Sequence, residues 1–376
     1  MVRACRSLPD AYDEQHESVD LGDRGWLWVA NGEVPISLSA VKVHSASFVV
    51  AVLFAALTLI SNLQAALITI DWVTVGDPGN AADTTGDPNP AGAVADSFQI
   101  MKFEFQNSQY AAFLNAVAET DTYTLYNTRM GSNARGGITQ SGASGSYTYA
   151  VKSNMGDKPV NFVSWFDAAR VANWLMNGAT GTSSTETGAY TLVGGQTSGT
   201  APARNSDATF YVPTEDQWFK AAYYKGGSAN AGYWDYATQS DTAPTAVTAG
   251  ATGIGSAGNT GNFANFDNSA SWNGQSGNVT TVGTSGGASV YGAFDMSGNI
   301  SEWNDLDGTS GSSRGLRGGS WDFPASNLSS SSWNSGDPSF DSVLFGFRLA
   351  SVPEPSTYAL LAMTAAGALW MAKRRR

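Results

Sequence analysis

The sequence predicts an α+β domain in which short helices and strands are separated by long irregular segments. Ile68 to Val75 and Phe98 to Phe105 (FQIMKFEF) are rich in β-favouring apolar residues, so both are predicted strands. Polar capping residues followed by apolar residues at helical spacing predict three helices. The 376 residues also include 42 Gly and 12 Trp, which is typical of a loop-rich fold held together by large buried rings.

Each predicted helix begins after a residue whose side chain can accept a hydrogen bond from the first turn. The helices are Ser108 to Glu119 after Asn107, the segment opened by Ser164 and Asp167 that runs to Asn177 and stops at Gly178, and the segment opened by Thr214 and Gln217 that stops at Gly226-Gly227. The second and third starts resemble capping boxes, in which two residues three positions apart cap each other's main chain.

The remaining segments are predicted to be irregular. Gly178 to Thr200 and Gly226 to Gly261 are low in complexity and read as surface loops or insertions. Phe263 to Ala350 shows little regular pattern but is dense in Gly, Asn, Asp and Trp. Irregular backbone buried around Trp needs hydrogen-bond partners, which Asn and Asp side chains or a bound cation would provide.

The charge balance of the chain is acidic, with a formal net charge of −12 and 14% charged residues. Binding to nucleic acid requires clustered Lys and Arg, and no basic stripe occurs between the two ends. Nucleic acid is therefore not an expected partner. An acidic surface suits an exported protein, or one that holds a hard cation.

The N-terminal region contains an uncharged apolar run, Ser47 to Ile60, followed by small residues. Such a run is typical of a secretory signal and is short for a membrane-spanning helix, while a buried core helix is the alternative. Residues 46–66 are therefore predicted to be a signal peptide, with the mature chain starting near Leu67. Residues 1–45 are a leader whose translation is doubtful, because a start near Val41 would give a signal of ordinary length.

The C-terminal region, residues 351–376, combines three parts in a fixed order: Val352 to Ser356 (VPEPS), an apolar stretch from Tyr358 to Ala372, and a basic end from Lys373 to Arg376. The order resembles the PEP-CTERM sorting signal of Gram-negative bacteria. The resemblance implies an exosortase-type processing enzyme as a partner, a transient inner-membrane anchor through the C-terminal helix, and delivery to the cell envelope or extracellular matrix. A plain tail anchor is the alternative, with the basic end cytoplasmic.

Cysteine and histidine occur only in the leader, as Cys5, His16 and His44. Removal of the leader would leave a mature chain without a disulfide, a Cys nucleophile, a His base or any Cys or His metal ligand.

Several segments of the central region, taken in order, resemble the sulfatase-modifying-factor family, that is, the formylglycine-generating-enzyme domain. The matching segments are 98–117 (FQIMKFEFQNSQYAAFLNAV), 159–175 (PVNFVSWFDAARVANWL), 210–227 (FYVPTEDQWFKAAYYKGG), 261–266 (GNFANF), 290–303 (VYGAFDMSGNISEW), 316–321 (LRGGSW) and 345–350 (FGFRLA). The resemblance covers residues 67–350 and implies a C-type-lectin-like fold with little regular secondary structure.

The family's oxidase chemistry uses two cysteines that bind copper, placed shortly after Gly-Gly-Ser. An ungapped match puts Phe323 and Leu328 at those positions, and neither side chain can bind Cu(I) as a thiolate does. Relatives that use iron need a histidine triad. The resemblance therefore implies that neither copper nor iron is a cofactor. Ser320 matches the family's active-site serine and is expected to cap a turn.

Calcium is the cofactor that the resemblance still implies. One family site falls on G-N-x-x-E-W, with the Gly298 and Ile300 carbonyls and the Glu302 carboxylate as ligands suited to a hard cation. The other site begins at Asn265-Phe266, although its later acidic ligand is missing or displaced. A turn held by hydrogen bonds alone is the alternative at both places.

Two further patterns are interpreted as structural. Trp303-Asn304-Asp305 matches the calcium motif of sugar-binding C-type lectins, but the disulfides and upstream loop of those domains are absent from the sequence, which favours coincidence. Arg348 in Gly-Phe-Arg is expected to form a buried ion pair. The Trp residues at helical spacing are expected in the core.

We expect an exported cell-surface or matrix protein whose formylglycine-generating-enzyme-like domain is not catalytic. Its partner would be a glycan, such as an exopolysaccharide, or a surface protein, bound through the insertion loops. The competing hypothesis is an enzyme, either a formylglycine-generating oxidoreductase with unusual ligands or one that uses an unrecognised site.

Overall fold

A computed structural model describes residues 68–85 and 90–353. The helices α1 to α4 span Asn107–Val117, Arg129–Ser132, Trp165–Met176 and Glu215–Tyr223. The strands β1 to β12 span Trp72–Val75, Phe98–Met101, Ile138–Ser141, Thr148–Val151, Phe210–Tyr211, Thr245–Ala246, Phe263–Ala264, Ser301–Asn304, Arg314–Arg317, Asn334–Gly336, Phe345–Phe347 and Ala350–Ser351. The predicted α+β class with short elements is confirmed.

Two four-stranded sheets organise the described part of the chain. The first has the order β1-β2-β12-β5 and is antiparallel throughout, so the first and last strands of the domain meet in one sheet. The second has the order β10-β9-β8-β11, with β11 parallel to β8. This second sheet lies within Phe263 to Ala350, where the sequence pattern indicated little regular structure. All residues of β8 and β9 are buried, and strands buried on both faces lack the alternation that identifies a strand.

The two helices with predicted capping boxes form the centre of the core. The Ser164 hydroxyl accepts from Asp167 N, and the Asp167 carboxylate accepts from Ser164 N at 2.8 Å. Thr214 and Gln217 make the same reciprocal pair at the start of α4. Both capping predictions are confirmed. Trp165, Trp174 and Trp218 on these helices are all fully buried, so the assignment of the helical Trp residues to the core is also confirmed.

The start of α1 differs from the prediction by one residue. Gln106 is the N-cap, and its N–H donates to Gln109 Oε1 at 2.9 Å. Asn107 lies inside the helix because its amide serves the neighbouring loop instead, where Asn107 Nδ2 donates to the Met155 carbonyl at 3.0 Å and the Lys158 carbonyl at 3.2 Å. A long-range contact thus replaces the local cap.

The low-complexity stretches are mostly loops, as predicted, although the second contains the short strand β6, and both contribute buried residues to the core. Tyr190 and Leu192 of the first stretch and Ala237 and Val247 of the second are buried. No helix among residues 68–85 and 90–353 is long and apolar enough to span a membrane. The predicted signal peptide (46–66) and the predicted C-terminal membrane segment lie outside the described residues.

Candidate functional site

A buried ion pair lies at the junction of the two sheets. Arg348 follows β11, and its guanidinium binds both carboxylate oxygens of Glu302 on β8, each at 2.6 Å. The indole of Trp218 donates to Glu302 Oε2 at 2.8 Å. Two-point contact between a guanidinium and a carboxylate is the strong geometry for such a pair. Because all three side chains are fully buried, this pair is part of the core, as predicted for Arg348.

Two further carboxylates lie near this ion pair. Glu104 is completely buried, and its Oε2 accepts from Asn299 Nδ2 at 2.8 Å, while its Oε1 has no hydrogen-bond partner among the described residues. Burial, reinforced by the charges of Asp295 and Glu302, raises the pKa of Glu104 well above its usual range. Burial likewise raises the pKa of Asp295 to about 6, against a hydrogen bond from Gly283 N that lowers it. The surroundings therefore favour a protonated Glu104.

The predicted calcium ligands of the two family motifs come together in the structure. Asn299 N donates to the Asn265 carbonyl at 2.8 Å, and Asn265 Nδ2 donates to Asn299 Oδ1 at 3.1 Å. At Gly298 the backbone has φ +86°, and a Cβ there would lie 2.4 Å from the Asn265 carbonyl oxygen. Only glycine lets the two segments approach this closely.

The five predicted calcium ligands differ in whether they have an oxygen atom that is free to bind a cation. Both carboxylate oxygens of Glu302 accept hydrogen bonds from Arg348. This arrangement corresponds to the alternative in which hydrogen bonds alone hold the turn. Asn265 Oδ1 is buried and has no partner among the described residues. Phe266 and Ile300 are buried, and their side chains belong to two small apolar clusters. Calcium at these residues stays a prediction, and Asn265 Oδ1 is the side-chain oxygen with free coordination capacity.

The segment from Ser320 to Leu328 contains Phe323 and Leu328, the two positions that the sequence resemblance matches to the family's thiols. Pro324 is followed by a short 3₁₀-helix, Ala325–Leu328, which turns the Leu328 side chain inward. Leu328 is fully buried with Ala264 and Phe266, and its Cδ1 lies 2.9 Å from the position of a Cβ built at Gly319. Phe323 is half-buried. The Leu328 side chain is thus part of a small apolar cluster beside Gly-Gly-Ser.

Ser320 departs from its predicted capping role. The Ser320 carbonyl, and not the hydroxyl, closes the turn by accepting from Phe323 N at 3.1 Å. The Ser320 hydroxyl is buried and has no hydrogen-bond partner among the described residues. In a β-turn the carbonyl of the first residue accepts directly from the N–H of the fourth, so the turn from Ser320 to Phe323 needs no side-chain cap.

The Trp-Asn-Asp sequence at the end of β8 is engaged inside the protein. Trp303 Nε1 donates to the Val163 carbonyl at 3.1 Å, and Asn304 Nδ2 donates to Glu215 at 2.6 Å. Asp305 is buried and lies 2.8 Å from Arg314. The contacts of these side chains support the interpretation of the motif as a coincidence.

The sequence reasoning missed Glu104 and Asp295. Glu104 is the single acidic residue in the run FQIMKFEF, and a carboxylate among the apolar residues of a predicted strand was a usable signal. Asp295 gave no such signal, because acidic residues are common in irregular segments.

Fold and site together define a loop-rich α+β domain with a buried charge network and a small apolar cluster around Leu328. The sulfatase-modifying factor enzyme 1-like domain profile matches residues 69–352, and the chain belongs to that family. The PEP-CTERM protein-sorting motif matches residues 351–376. The chain therefore carries an export signal directed to the Gram-negative cell envelope, and its domain has the formylglycine-generating-enzyme fold. A search of curated protein sequences found no significant match.

Solved structures with similarity to the chain include CarF, at 21% identity and a TM-score of 0.45, with 76% of this chain and 99% of CarF covered. Treponema denticola variable protein 1 shows 20% identity and a TM-score of 0.44, with 76% and 96% covered. PvdO from Pseudomonas aeruginosa shows 19% identity and a TM-score of 0.37, with 76% and 92% covered.

Proposed function

We propose that this chain is an exported, non-catalytic protein of the cell surface or extracellular matrix that binds a glycan or a protein partner. The family domain serves in this proposal as a rigid scaffold, because its buried charges are committed to holding the two sheets together. The loops and grooves around that scaffold supply the binding surface.

The observation that carries the proposal is the packing of Leu328. Oxygen activation by the family needs thiolates that bind copper, and Leu328 and Phe323 stand at those positions. Leu328 is completely buried against Phe266 and Ala264, which supports a structural role for this position. Between residues 67 and 376 the sequence contains no Cys or His that could take over the ligand role.

Mass spectrometry of a Cys-x-Pro-x-Arg peptide, incubated with the protein with and without copper, tests this proposal. We expect no conversion of cysteine to formylglycine, a reaction that removes the sulfur and lowers the peptide mass. A double variant, Phe323→Cys with Leu328→Cys, is the matched control and is expected not to reach full activity, because the neighbouring residues pack for a leucine. Copper-dependent turnover by the unchanged protein would contradict the proposal and show that the protein is an enzyme.

Processing at both ends is the second part of the proposal. The PEP-CTERM motif implies an exosortase-type system, and we propose a mature chain from near Leu67 to near Pro353. Intact-mass measurement and N-terminal sequencing of protein from the native host decide this. A mass that includes Cys5 or the basic end from Arg374 to Arg376 would contradict it.

A further inference from the structure

A groove lies beside the first strand of the domain. It has a volume of about 600 Å³. Its lining consists of Ile70, Asp71, Trp72, Val73, Lys102, Ala288, Gly292 and Phe294. Asp71 is exposed, and Trp72, Lys102 and Phe294 are half-buried, so aromatic and charged groups face the same space. The family's site residues Ser320, Phe323 and Leu328 do not line this groove.

Aromatic rings form a ridge along the groove. Phe294 stacks on Phe103 with ring centroids 5.5 Å apart, and Lys102 Nζ lies 5.2 Å from the Phe103 centroid and 5.7 Å from that of Phe294. Trp72 is held from the other side by Phe210, at 5.8 Å between centroids. Rings fixed by such contacts present a rigid apolar face at low entropic cost.

Main-chain groups add hydrogen-bonding capacity along the same groove. Lys102 N donates to the Asp71 carbonyl at 2.8 Å, and antiparallel pairing alternates, so Trp72 and Thr74 turn their N–H and C=O groups away from β2. No strand of the described chain pairs with that edge of β1. Asp71 and Lys102 supply an acceptor and a donor with opposite charges, which leaves the groove nearly neutral.

A second depression continues the first. Its volume is about 360 Å³, and it shares Asp71 with the groove while Phe103 lines it in place of Phe294. Because Phe103 and Phe294 stack on each other, the two depressions share one aromatic ridge with a carboxylate beside it. An extended ligand that follows this ridge would meet alternating apolar faces and polar groups.

We infer that this groove binds a neutral linear oligosaccharide. Sugar rings have an apolar C–H face that stacks on Trp and Phe, and hydroxyl groups that pair with carboxylate, ammonium and main-chain groups. A neutral chain fits a groove with one carboxylate and one ammonium, on a protein whose net charge of −12 repels polyanions. A peptide added as a strand fits less well, because only Trp72 and Thr74 have free edge groups and the loop at Gly292 lies against Val73.

This inference rests on the proposed binding role and assigns it a site and a ligand class. Titration calorimetry of the protein purified from its exporting host, with neutral hexasaccharides of glucose, mannose and galactose units in α and β linkage, is the test. We expect millimolar or tighter binding of at least one of them. Trp72→Ala should weaken this binding by at least about tenfold, because the stacking face is lost.

Two further variants keep the test decisive. Asp71→Ala removes an exposed side chain and should weaken binding about fivefold or more without disturbing the Trp72–Phe210 contact. Trp333→Ala is the matched control, since Trp333 is 39% exposed and does not line the groove, and it should bind as the unchanged protein does. The absence of binding to every saccharide, binding that survives both groove substitutions, or binding of an extended Val/Thr decapeptide alone would overturn the inference. If no saccharide binds and the protein also does not oxidise the Cys-x-Pro-x-Arg peptide, the inference about this groove is wrong but the proposal of a non-catalytic protein still holds.

Discussion

The ion pair of Glu302 with Arg348 and the segment from Ser320 to Leu328 are close in the fold but are held by different kinds of contact. In the ion pair every charge has a partner of opposite sign, placed for two-point contact. In the segment, the Ser320 hydroxyl is buried with no hydrogen-bond partner among the described residues, and Leu328 packs in an apolar cluster. The difference indicates that charge pairing fixes the geometry around Glu302, while apolar packing fixes the segment that ends at Leu328.

The largest expected effect concerns the framework. Arg348→Met would leave Glu302 buried without a cation, next to Glu104 and Asp295, so we expect the free energy of unfolding to fall by about 3–5 kcal/mol. Arg129→Met is the control, because Arg129 pairs with Asp341 at the surface and should contribute less than about 1 kcal/mol. Urea unfolding of both variants gives the two values. Equal losses would show that burial does not distinguish the two pairs.

The repacked segment gives the next largest effect. Leu328→Ala removes a fully buried side chain and leaves a cavity beside Phe266, and the expected cost is about 2–5 kcal/mol. Val193→Ala, at a side chain that is 78% exposed, should change stability by no more than about 0.5 kcal/mol. Unfolding curves that do not separate the two variants would mean that Leu328 is loosely held and that the pocket is not part of the core.

A third prediction uses pH to compare the buried carboxyl group of a helix cap with an exposed carboxyl group in a turn. Burial raises the pKa of Asp167 from 3.8 to about 7, so the folded state binds its proton more tightly than the unfolded state does. Its contribution is therefore present at low pH and is lost as the pH rises through the range between those two values. Asp167→Asn stays uncharged, and the stability of the unchanged protein relative to this variant should fall there by up to about 1.4 kcal/mol per pH unit.

The matched control for this pH series is Asp307→Asn. Asp307 is exposed, and hydrogen bonds from Thr309 lower the pKa of its carboxyl, so its effect has the opposite sign: stability is gained above its ordinary pKa and lost as the pH falls. Urea unfolding at a series of pH values measures both variants. A relative stability that rises with pH for the Asp167 pair would contradict the assigned direction.

The smallest expected effect is the influence of calcium on the stability loss caused by Glu302→Gln, and it separates calcium from the ion pair at Glu302. Because Arg348 already binds both oxygens of Glu302, Glu302→Gln should lower the melting temperature by the same amount with calcium and with a chelator. Asn265→Ala is the companion variant, because Asn265 Oδ1 has no hydrogen-bond partner among the described residues. A saturated calcium site stabilises the folded protein by roughly 2.7 kcal/mol at a hundredfold excess over Kd, so loss of a ligand there should reduce the effect of calcium on the melting temperature. If the chelator lowers the melting temperature of the unchanged protein but not of Glu302→Gln, the carboxylate is a calcium ligand.

The sequence by itself determined the α+β class, both capping boxes, the buried helical Trp residues and the ion pair of Arg348. These follow from short-range patterns: a cap three residues from its partner, apolar residues at helical spacing, and a charge inside an apolar motif. The family membership was also readable, because several short motifs occur in the order that the family has them.

The tertiary structure alone decided the features that depend on contacts between residues far apart in the sequence. Asn107 is a helix residue and not a cap because its amide serves a loop about fifty residues away. The second sheet escaped detection because strands buried on both faces show no alternation. The groove at Trp72 and Lys102 exists only where the start of the domain meets the loop at Phe294, and such long-range encounters leave no periodic trace in the sequence.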